Sequence, residues 1–161
     1  MDAARDDRVQ KVCIWTPDKD LGQCVRGDRV VQMDNKAGTI RDEDAVRKKF
    51  GVTPELIPDF LALVGDAADG YPGIAGIGKV SAARLLNQYG SIEAFPPDVL
   101  MRHREQALLF KTLATLRTDA PLFKNVDQLK WKGPTAAFAE HTAKFGEPRL
   151  LQRAKELAAR R

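Results

Sequence analysis

The feature that most constrains this chain is a glycine-rich stretch, residues 64–84. The apolar residues 60–64 predict the buried end of a helix that stops at Gly65. A glycine hairpin follows, residues 73–78 with the sequence Gly-Ile-Ala-Gly-Ile-Gly, and a second helix is predicted from Lys79 to Tyr89. Because glycine allows the backbone conformations of tight turns, the sequence predicts two helices joined by a short hairpin.

Two aspartates, Asp66 and Asp69, lie just after the C-terminal end of the first helix. A carboxylate at that end opposes the helix dipole by roughly 0.3–1 kcal/mol. A solvated turn explains the pair as well as a metal site does, because aspartate is common in turns. Paired carboxylates hold hard cations, and glycine-rich backbone amides hold phosphate. A candidate metal site next to a candidate phosphate site therefore suggests chemistry on a phosphodiester.

The glycine hairpin also matches the phosphate-binding P-loop pattern from Gly73 to Lys79. That pattern needs Ser or Thr at the next position to hold magnesium, whereas this chain has Val80. A P-loop also follows a buried strand, as does the dinucleotide-binding fingerprint, and this loop follows a helix.

A helix-hairpin-helix fits better, with an apolar residue packed into the core and backbone amides facing a DNA phosphate. The residues predicted to bind DNA are Gly73, Ile74, Gly76, Ile77, Gly78, Lys79 and Ser81.

A second acidic pair, Asp18 and Asp20, follows an apolar run at residues 12–16 that predicts a buried strand. Ligands bind at the carboxyl edge of the strands in α/β sheets, so the pair is a candidate for metal binding. The alternative is structural, with Asp20 capping a short helix.

Both acidic segments resemble the 5′-nuclease family, which includes the 5′→3′ exonuclease domain of bacterial DNA polymerase I and the flap endonucleases. Residues 65–74 resemble the family's G-D-x-x-D-x-x-P-G-[IV] signature, and residues 76–82 its G-[IV]-G-x-x-[ST]-A continuation. Residues 16–21, Thr-Pro-Asp-Lys-Asp-Leu, resemble its T-x-D-K-D-L motif.

The resemblance implies an α/β fold: a partial PIN-like, Rossmann-like nuclease core with an all-α helix-hairpin-helix domain. It implies a metal-dependent 5′→3′ exonuclease or 5′-flap endonuclease that hydrolyses DNA with two divalent ions, Mg²⁺ or Mn²⁺. The implied catalytic and metal-binding residues are Asp18, Asp20, Asp66 and Asp69. It further implies a monovalent cation, K⁺, between hairpin carbonyls and the phosphate of a duplex with a 5′ end or flap.

The family's nuclease core carries further acidic residues upstream of its T-x-D-K-D-L strand, and residues 1–17 do not supply them. We therefore expect a fragment or an internal start codon, with weak activity of the chain alone. We divide it into the end of the core at 1–50, the helix-hairpin-helix at 51–117, and a strand and helices returning to the core at 118–161. A non-catalytic DNA-binding module of the helix-hairpin-helix type is the alternative function.

Composition sets broader limits. The 161 residues are 43% hydrophobic, enough for a folded core, and carry a net charge of +4 that permits nucleic acid as a partner. Cys13 and Cys24 are expected to be reduced packing residues, and the wide separation of the two histidines in the sequence argues against a His-based zinc site. No apolar run reaches the ~20 residues of a membrane span, so we expect a soluble, intracellular protein. The family resemblance further implies a cytoplasmic, nucleoid-associated protein with no small-molecule cofactor.

The remaining pattern predicts short elements. An exposed strand at 28–33 should turn at 35–38, and a helix at 42–50 should end at Gly51. A longer helix at 101–116 is expected to bury a leucine stripe formed by Leu108, Leu109, Leu113 and Leu116. Two amphipathic helices, 135–145 and 147–161, complete the chain.

Overall fold

The computed structural model describes residues 2–34 and 38–160. The chain forms two compact units, residues 1–120 and residues 121–161. The first unit holds a three-stranded sheet and five α-helices, and the second holds two. Fold class is therefore α/β, as predicted.

The sheet has the order β1-β2-β3, with β1 at Val12–Trp15, β2 at Val30–Asp34 and β3 at Thr39–Arg41. β1 runs parallel to β2, with Val12 opposite Val30, and β2 runs antiparallel to β3. A 3-10 turn at Asp20–Cys24 connects the two parallel strands. The predicted turn at 35–38 lies largely outside the described residues.

The helices of the first unit are α1 to α5: Glu43–Phe50, Ile57–Val64, Lys79–Tyr89, Pro97–Leu100 and Arg104–Ala114. Pro58 lies in the first turn of α2, where a missing N–H costs no helical hydrogen bond. The core of this unit is built around α2, whose residues 57–63 are all buried. The predicted helix at 79–89 is confirmed as α3.

The second unit contains α6 at Ala136–Lys144 and α7 at Pro148–Ala159, which pack against each other. The Thr135 hydroxyl caps α6 by accepting a hydrogen bond from the Phe138 N–H. The strand predicted within 118–161 is not found in the described residues: residues 118–160 form only these helices and a 3-10 turn at Val126–Leu129. The rest of the predicted three-part division stays a prediction.

Two burial predictions for the sheet are wrong. β1 was expected to be buried, but Cys13 is exposed and Trp15 is 65% exposed, because β1 lies at the edge of the sheet. The strand near 28–33 was expected to be exposed, yet Val30, Val31 and Gln32 are buried because β2 is the central strand.

The leucine stripe predicted for 101–116 is also wrong in part. Met101 has a φ of +47°, so the helix cannot run through it, and α5 begins only at Arg104. Leu109 and Leu113 are exposed. The buried face consists of Ala107, Phe110 and Ala114. Small alanines on this face allow α5 to pack closely on the apolar α2.

Among the described residues, no helix is both long enough and apolar enough to cross a membrane.

Candidate metal centre and glycine hairpin

The loop after β1 carries the first acidic pair, and the neighbouring strand fixes its position. The buried Gln32 of β2 donates a hydrogen bond from its side-chain amide to the carbonyl of Asp18. Gln23 donates to the carbonyl of Asp20 at 2.9 Å and to that of Ala114 in α5 at 3.0 Å. The loop is therefore tied both to the central strand and to the helical core.

The segment after α2 carries the second acidic pair. Asp66 and Tyr71 form a backbone bridge, with N–H to carbonyl distances of 2.8 and 3.1 Å in the two directions. This bridge closes a short turn that contains Asp69. The Asp66 carboxylate accepts the N–H of Ala68 at 3.0 Å, which fixes its orientation inside the turn.

The two segments meet in a carboxylate trio formed by Asp20, Asp66 and Asp69. One carboxylate oxygen from each lies within 4.8 Å of the others. Asp66 is buried, Asp20 is half-buried and Asp69 is exposed. Carboxylates at this spacing repel one another unless a proton or a cation neutralises them.

Asp18 lies outside this trio, although its sequence pattern placed it in the same site. Its side chain is exposed and accepts the backbone N–H of Asp20 at 3.1 Å. Asp18 does line the open cleft of about 440 Å³ that Asp66 and Asp69 also line. The structure thus brings three of the four predicted aspartates together and leaves the fourth at the rim.

The electrostatics of the trio differ from residue to residue. Burial, a hydrogen bond with Asp69 and the nearby negative charges raise the pKa of Asp20 to about 7. Burial also acts to raise the pKa of Asp66, but the bond from Lys19 and backbone N–H groups outweigh it and lower the pKa. The Lys19 ammonium lies 2.6 Å from the buried Asp66 carboxylate. At neutral pH Asp20 is therefore partly protonated, whereas Asp66 is ionised.

The donor set fits a hard divalent cation. Three carboxylates are the ligands that Mg²⁺ and Mn²⁺ prefer. Oδ1 of Asp20 and the hydroxyl of Tyr71 are buried with no hydrogen-bond partner among the described residues. Buried polar atoms of this kind point to a missing water or ion. A cation bound by the trio would displace the proton of Asp20 and satisfy its unpaired oxygen.

The glycine hairpin is held against the end of α2 by a close backbone crossing. The Ile74 N–H donates to the carbonyl of Leu63 at 2.8 Å, and the Ile74 side chain is 5% exposed. A Cβ on Gly73 would lie 2.4 Å from the backbone nitrogen of Gly65, and both glycines have positive φ. Glycine is required at both positions because no side chain fits between the two segments.

The outer part of the hairpin is open. A Cβ at Gly78 would have no other atom within 4 Å. Gly78 directly precedes Lys79, which is exposed and is the first residue of α3. The Ser81 hydroxyl donates to the carbonyl of Gly78 at 3.0 Å. The first N–H groups of a helix have no intrahelical partner, so this end of α3 presents donors to solvent. The loop follows a helix, which excludes the P-loop interpretation.

The comparisons with known proteins decide the family. The profile described as 5′-3′ exonuclease, C-terminal SAM fold, matches residues 52–137. The chain belongs to the 5′-3′ exonuclease family. Its sequence is 40% identical over 136 residues to DNA polymerase I of Pseudomonas aeruginosa, covering 73% of this chain and 15% of that protein.

Two further relatives show how much of the family's length is present. The chain is 38% identical over 131 residues to the 5′-3′ exonuclease of Aquifex aeolicus, covering 77% of this chain and 45% of that one. A bacteriophage T5 D15 flap endonuclease, solved with DNA and metal ions, has the same fold, with a TM-score of 0.59 at 16% identity over 70% of this chain and 47% of that one. The chain thus spans less than half the length of these relatives.

Two residues beside the carboxylate trio were not predicted to have a role. Lys19 stands between the two aspartates of its motif, so its position in the sequence was a usable signal. Tyr71 gave no such signal, because an aromatic residue before proline in a turn has no predictable partner. Its relation to the trio comes only from the backbone bridge with Asp66.

Proposed function

We propose that this chain forms the metal-binding and DNA-backbone-binding part of a 5′-nuclease that hydrolyses DNA phosphodiesters near a 5′ end or a flap. The observation that carries the proposal is the convergence of Asp20, Asp66 and Asp69, from two distant segments, within 4.8 Å. Family membership supports the reaction class. The nucleoid, where bacterial DNA is processed, is the location that follows.

The carboxylate trio would hold one divalent ion, Mg²⁺ or Mn²⁺. Such an ion activates water and stabilises the charge that develops on a phosphoryl group. Lys19 holds the Asp66 carboxylate in place at 2.6 Å, and the carboxyl groups of Asp20, Asp66 and Asp69 already lie within 4.8 Å of one another before the ion binds. Two-ion hydrolysis needs a second ion about 4 Å away. Asp18, at the rim of the same cleft, is the carboxylate that we assign to it.

The glycine hairpin would bind the backbone of duplex DNA without reading its sequence. This proposal is supported by the open space at Gly78, where a phosphate can approach the backbone. It is also supported by the N–H groups in the first turn of α3, which have no partner within the helix. Lys79 adds a positive charge there, and the Ser81 hydroxyl can turn from the Gly78 carbonyl toward a phosphate. The K⁺ ion at the hairpin belongs to the same proposal.

The test is metal binding by the purified chain, measured with Mn²⁺ by calorimetry. Asp20→Asn removes one ligand charge while keeping the shape of the side chain, so Mn²⁺ affinity should fall at least about tenfold. Asp28→Asn changes an exposed acid outside the site and is the matched control. Equal Mn²⁺ affinity in wild type and Asp20→Asn would refute the metal centre.

Cleavage of a labelled 5′-flap DNA tests the reaction itself. We expect slow or no cleavage by this chain alone, because the trio provides a tight site for one ion only. Robust Mg²⁺-dependent cleavage that is lost in Asp66→Ala and Asp69→Ala would show that the chain is sufficient. DNA binding with no Mn²⁺ binding at all would instead favour the non-catalytic DNA-binding module.

A further inference from the structure

Tyr71 is a buried residue whose hydroxyl has no partner in the described part of the chain. The side chain is 4% exposed, and its ring stacks on Phe110 with the centroids 5.5 Å apart. The stacking fixes the ring, so the hydroxyl cannot swing out to solvent. A buried hydroxyl without a hydrogen bond destabilises the folded chain, which calls for a missing partner.

The position of Tyr71 indicates what that partner is. Tyr71 lies directly opposite Asp66 in the antiparallel backbone bridge. Residues directly opposite each other in such a pair project to the same side. A tyrosine hydroxyl carries its proton at neutral pH, so it can donate a hydrogen bond.

A second orphaned atom belongs to the same site. Oδ1 of Asp20 is an acceptor that is also buried without a partner. One unpaired donor and one unpaired acceptor beside the same carboxylate trio are both satisfied if an ion and its water occupy the space. Direct ligation by the neutral phenol is the weaker alternative, because Mg²⁺ prefers carboxylate and water oxygens.

We infer that Tyr71 is a positioning residue of the metal centre: its hydroxyl donates a hydrogen bond to a water molecule that ligates the divalent ion held by Asp20, Asp66 and Asp69. The inference rests on the proposed function, since it requires the trio to bind a metal. Groups that orient the ligands of a metal in this way change its affinity by about 10–100-fold when they are removed.

Tyr71→Phe tests this role because it removes one oxygen atom and keeps the stacked ring. Mn²⁺ affinity of the purified chain should fall by about 10–100-fold. The thermal midpoint in metal-free buffer should stay the same or rise, because the unpaired hydroxyl is gone. A tyrosine with a structural role would show the opposite pattern, a lower midpoint in the absence of metal.

Tyr89→Phe is the matched control. The ring of Tyr89 also lies beside a phenylalanine ring, that of Phe95, with the centroids 5.8 Å apart, but Tyr89 belongs to α3 and is not beside the trio. This substitution should leave Mn²⁺ affinity unchanged. Tyr71→Phe with Mn²⁺ affinity within about twofold of wild type would overturn the inference while leaving the metal centre intact. A metal-free Tyr71→Phe chain that is destabilised or unfolded would overturn it too, because the hydroxyl would then have a structural partner.

Mn²⁺ binding by the wild-type chain distinguishes a failure of the proposed metal centre from a failure of the role inferred for Tyr71. Mn²⁺ binding that Asp20→Asn weakens and Tyr71→Phe does not refutes only the role of Tyr71. A wild-type chain that binds no Mn²⁺ refutes the metal centre and the role of Tyr71 together.

Discussion

Metal binding by this chain should depend steeply on pH. The perturbation is a change from pH 8 to pH 5 in wild type and in Asp20→Asn. Asp20 has a pKa of about 7, raised by burial, by its bond with Asp69 and by the charges of the other acids. A metal ligand must be deprotonated, so Mn²⁺ must displace the proton that Asp20 carries.

The size of the pH effect on Mn²⁺ affinity follows from the release of one proton by Asp20, whose pKa is about 7. Below that pKa, each pH unit should weaken Mn²⁺ binding about tenfold, so affinity at pH 5 should be about 100-fold below the plateau at high pH. Asp66 adds little to this slope, because its Lys19 partner lowers its pKa. Asp20→Asn should bind weakly and with little pH dependence.

Stability without metal should have the opposite pH dependence. The pKa of Asp20 is raised from 3.8 to about 7 on folding, so the folded chain holds a proton that the unfolded chain releases. The stabilising effect of that proton is fully present below pH 3.8 and is lost as the pH rises through about 7. The metal-free midpoint of wild type should therefore fall between pH 5 and pH 8 more than that of Asp20→Asn, and Mn²⁺ should restore it.

Calorimetric titration with Mn²⁺ at several pH values measures the first effect, and thermal melts with EDTA measure the second. The raised pKa of Asp20 is refuted by a wild-type Mn²⁺ affinity that is constant from pH 5 to pH 8. It is also refuted if Asp20→Asn retains the full wild-type slope.

Four further substitutions test the helical part. Lys111→Met leaves the buried Asp59 carboxylate without the ammonium that lies 2.9 Å away, so the free energy of unfolding in urea should fall by about 3 kcal/mol. Arg117→Met breaks an exposed ion pair and should leave the free energy of unfolding almost unchanged, so equal losses would contradict the argument. Gly78→Ala should keep the fold, because its Cβ meets no atom within 4 Å, but should weaken duplex-DNA binding in a mobility-shift assay. Gly73→Ala should destabilise the fold itself, and unchanged DNA binding in Gly78→Ala would argue against phosphate contact at the hairpin.

The local elements around the hairpin were predictable from the sequence. Gly65 marks the end of α2, the hairpin glycines mark the loop, and α3 has its predicted bounds at Lys79–Tyr89. These signals are local, because they depend on the backbone freedom of glycine and on short-range apolar spacing. The uninterrupted motifs also indicated the family from the sequence alone.

Burial could not be predicted in the same way, because it depends on which elements become neighbours. The apolar run of β1 predicted a buried strand and the mixed sequence of β2 an exposed one, whereas the strand order makes β1 an exposed edge and β2 a buried centre. In α5 the leucines suggested the core face, but close packing on α2 selected Ala107 and Phe110 instead.

The candidate site also combines features that the sequence shows with features that only the tertiary structure decides. The acidic residue types and their pairing were visible in the sequence, and they indicated a metal. Only the tertiary structure decided that Asp20 joins Asp66 and Asp69 while Asp18 stays at the rim. Tyr71 became part of the site only through its backbone bridge with Asp66. The physical reason is that a pKa, an ion pair and an unpaired hydroxyl depend on distances of a few ångströms between segments that lie some 45 residues apart, and residue spacing along a chain does not fix such distances.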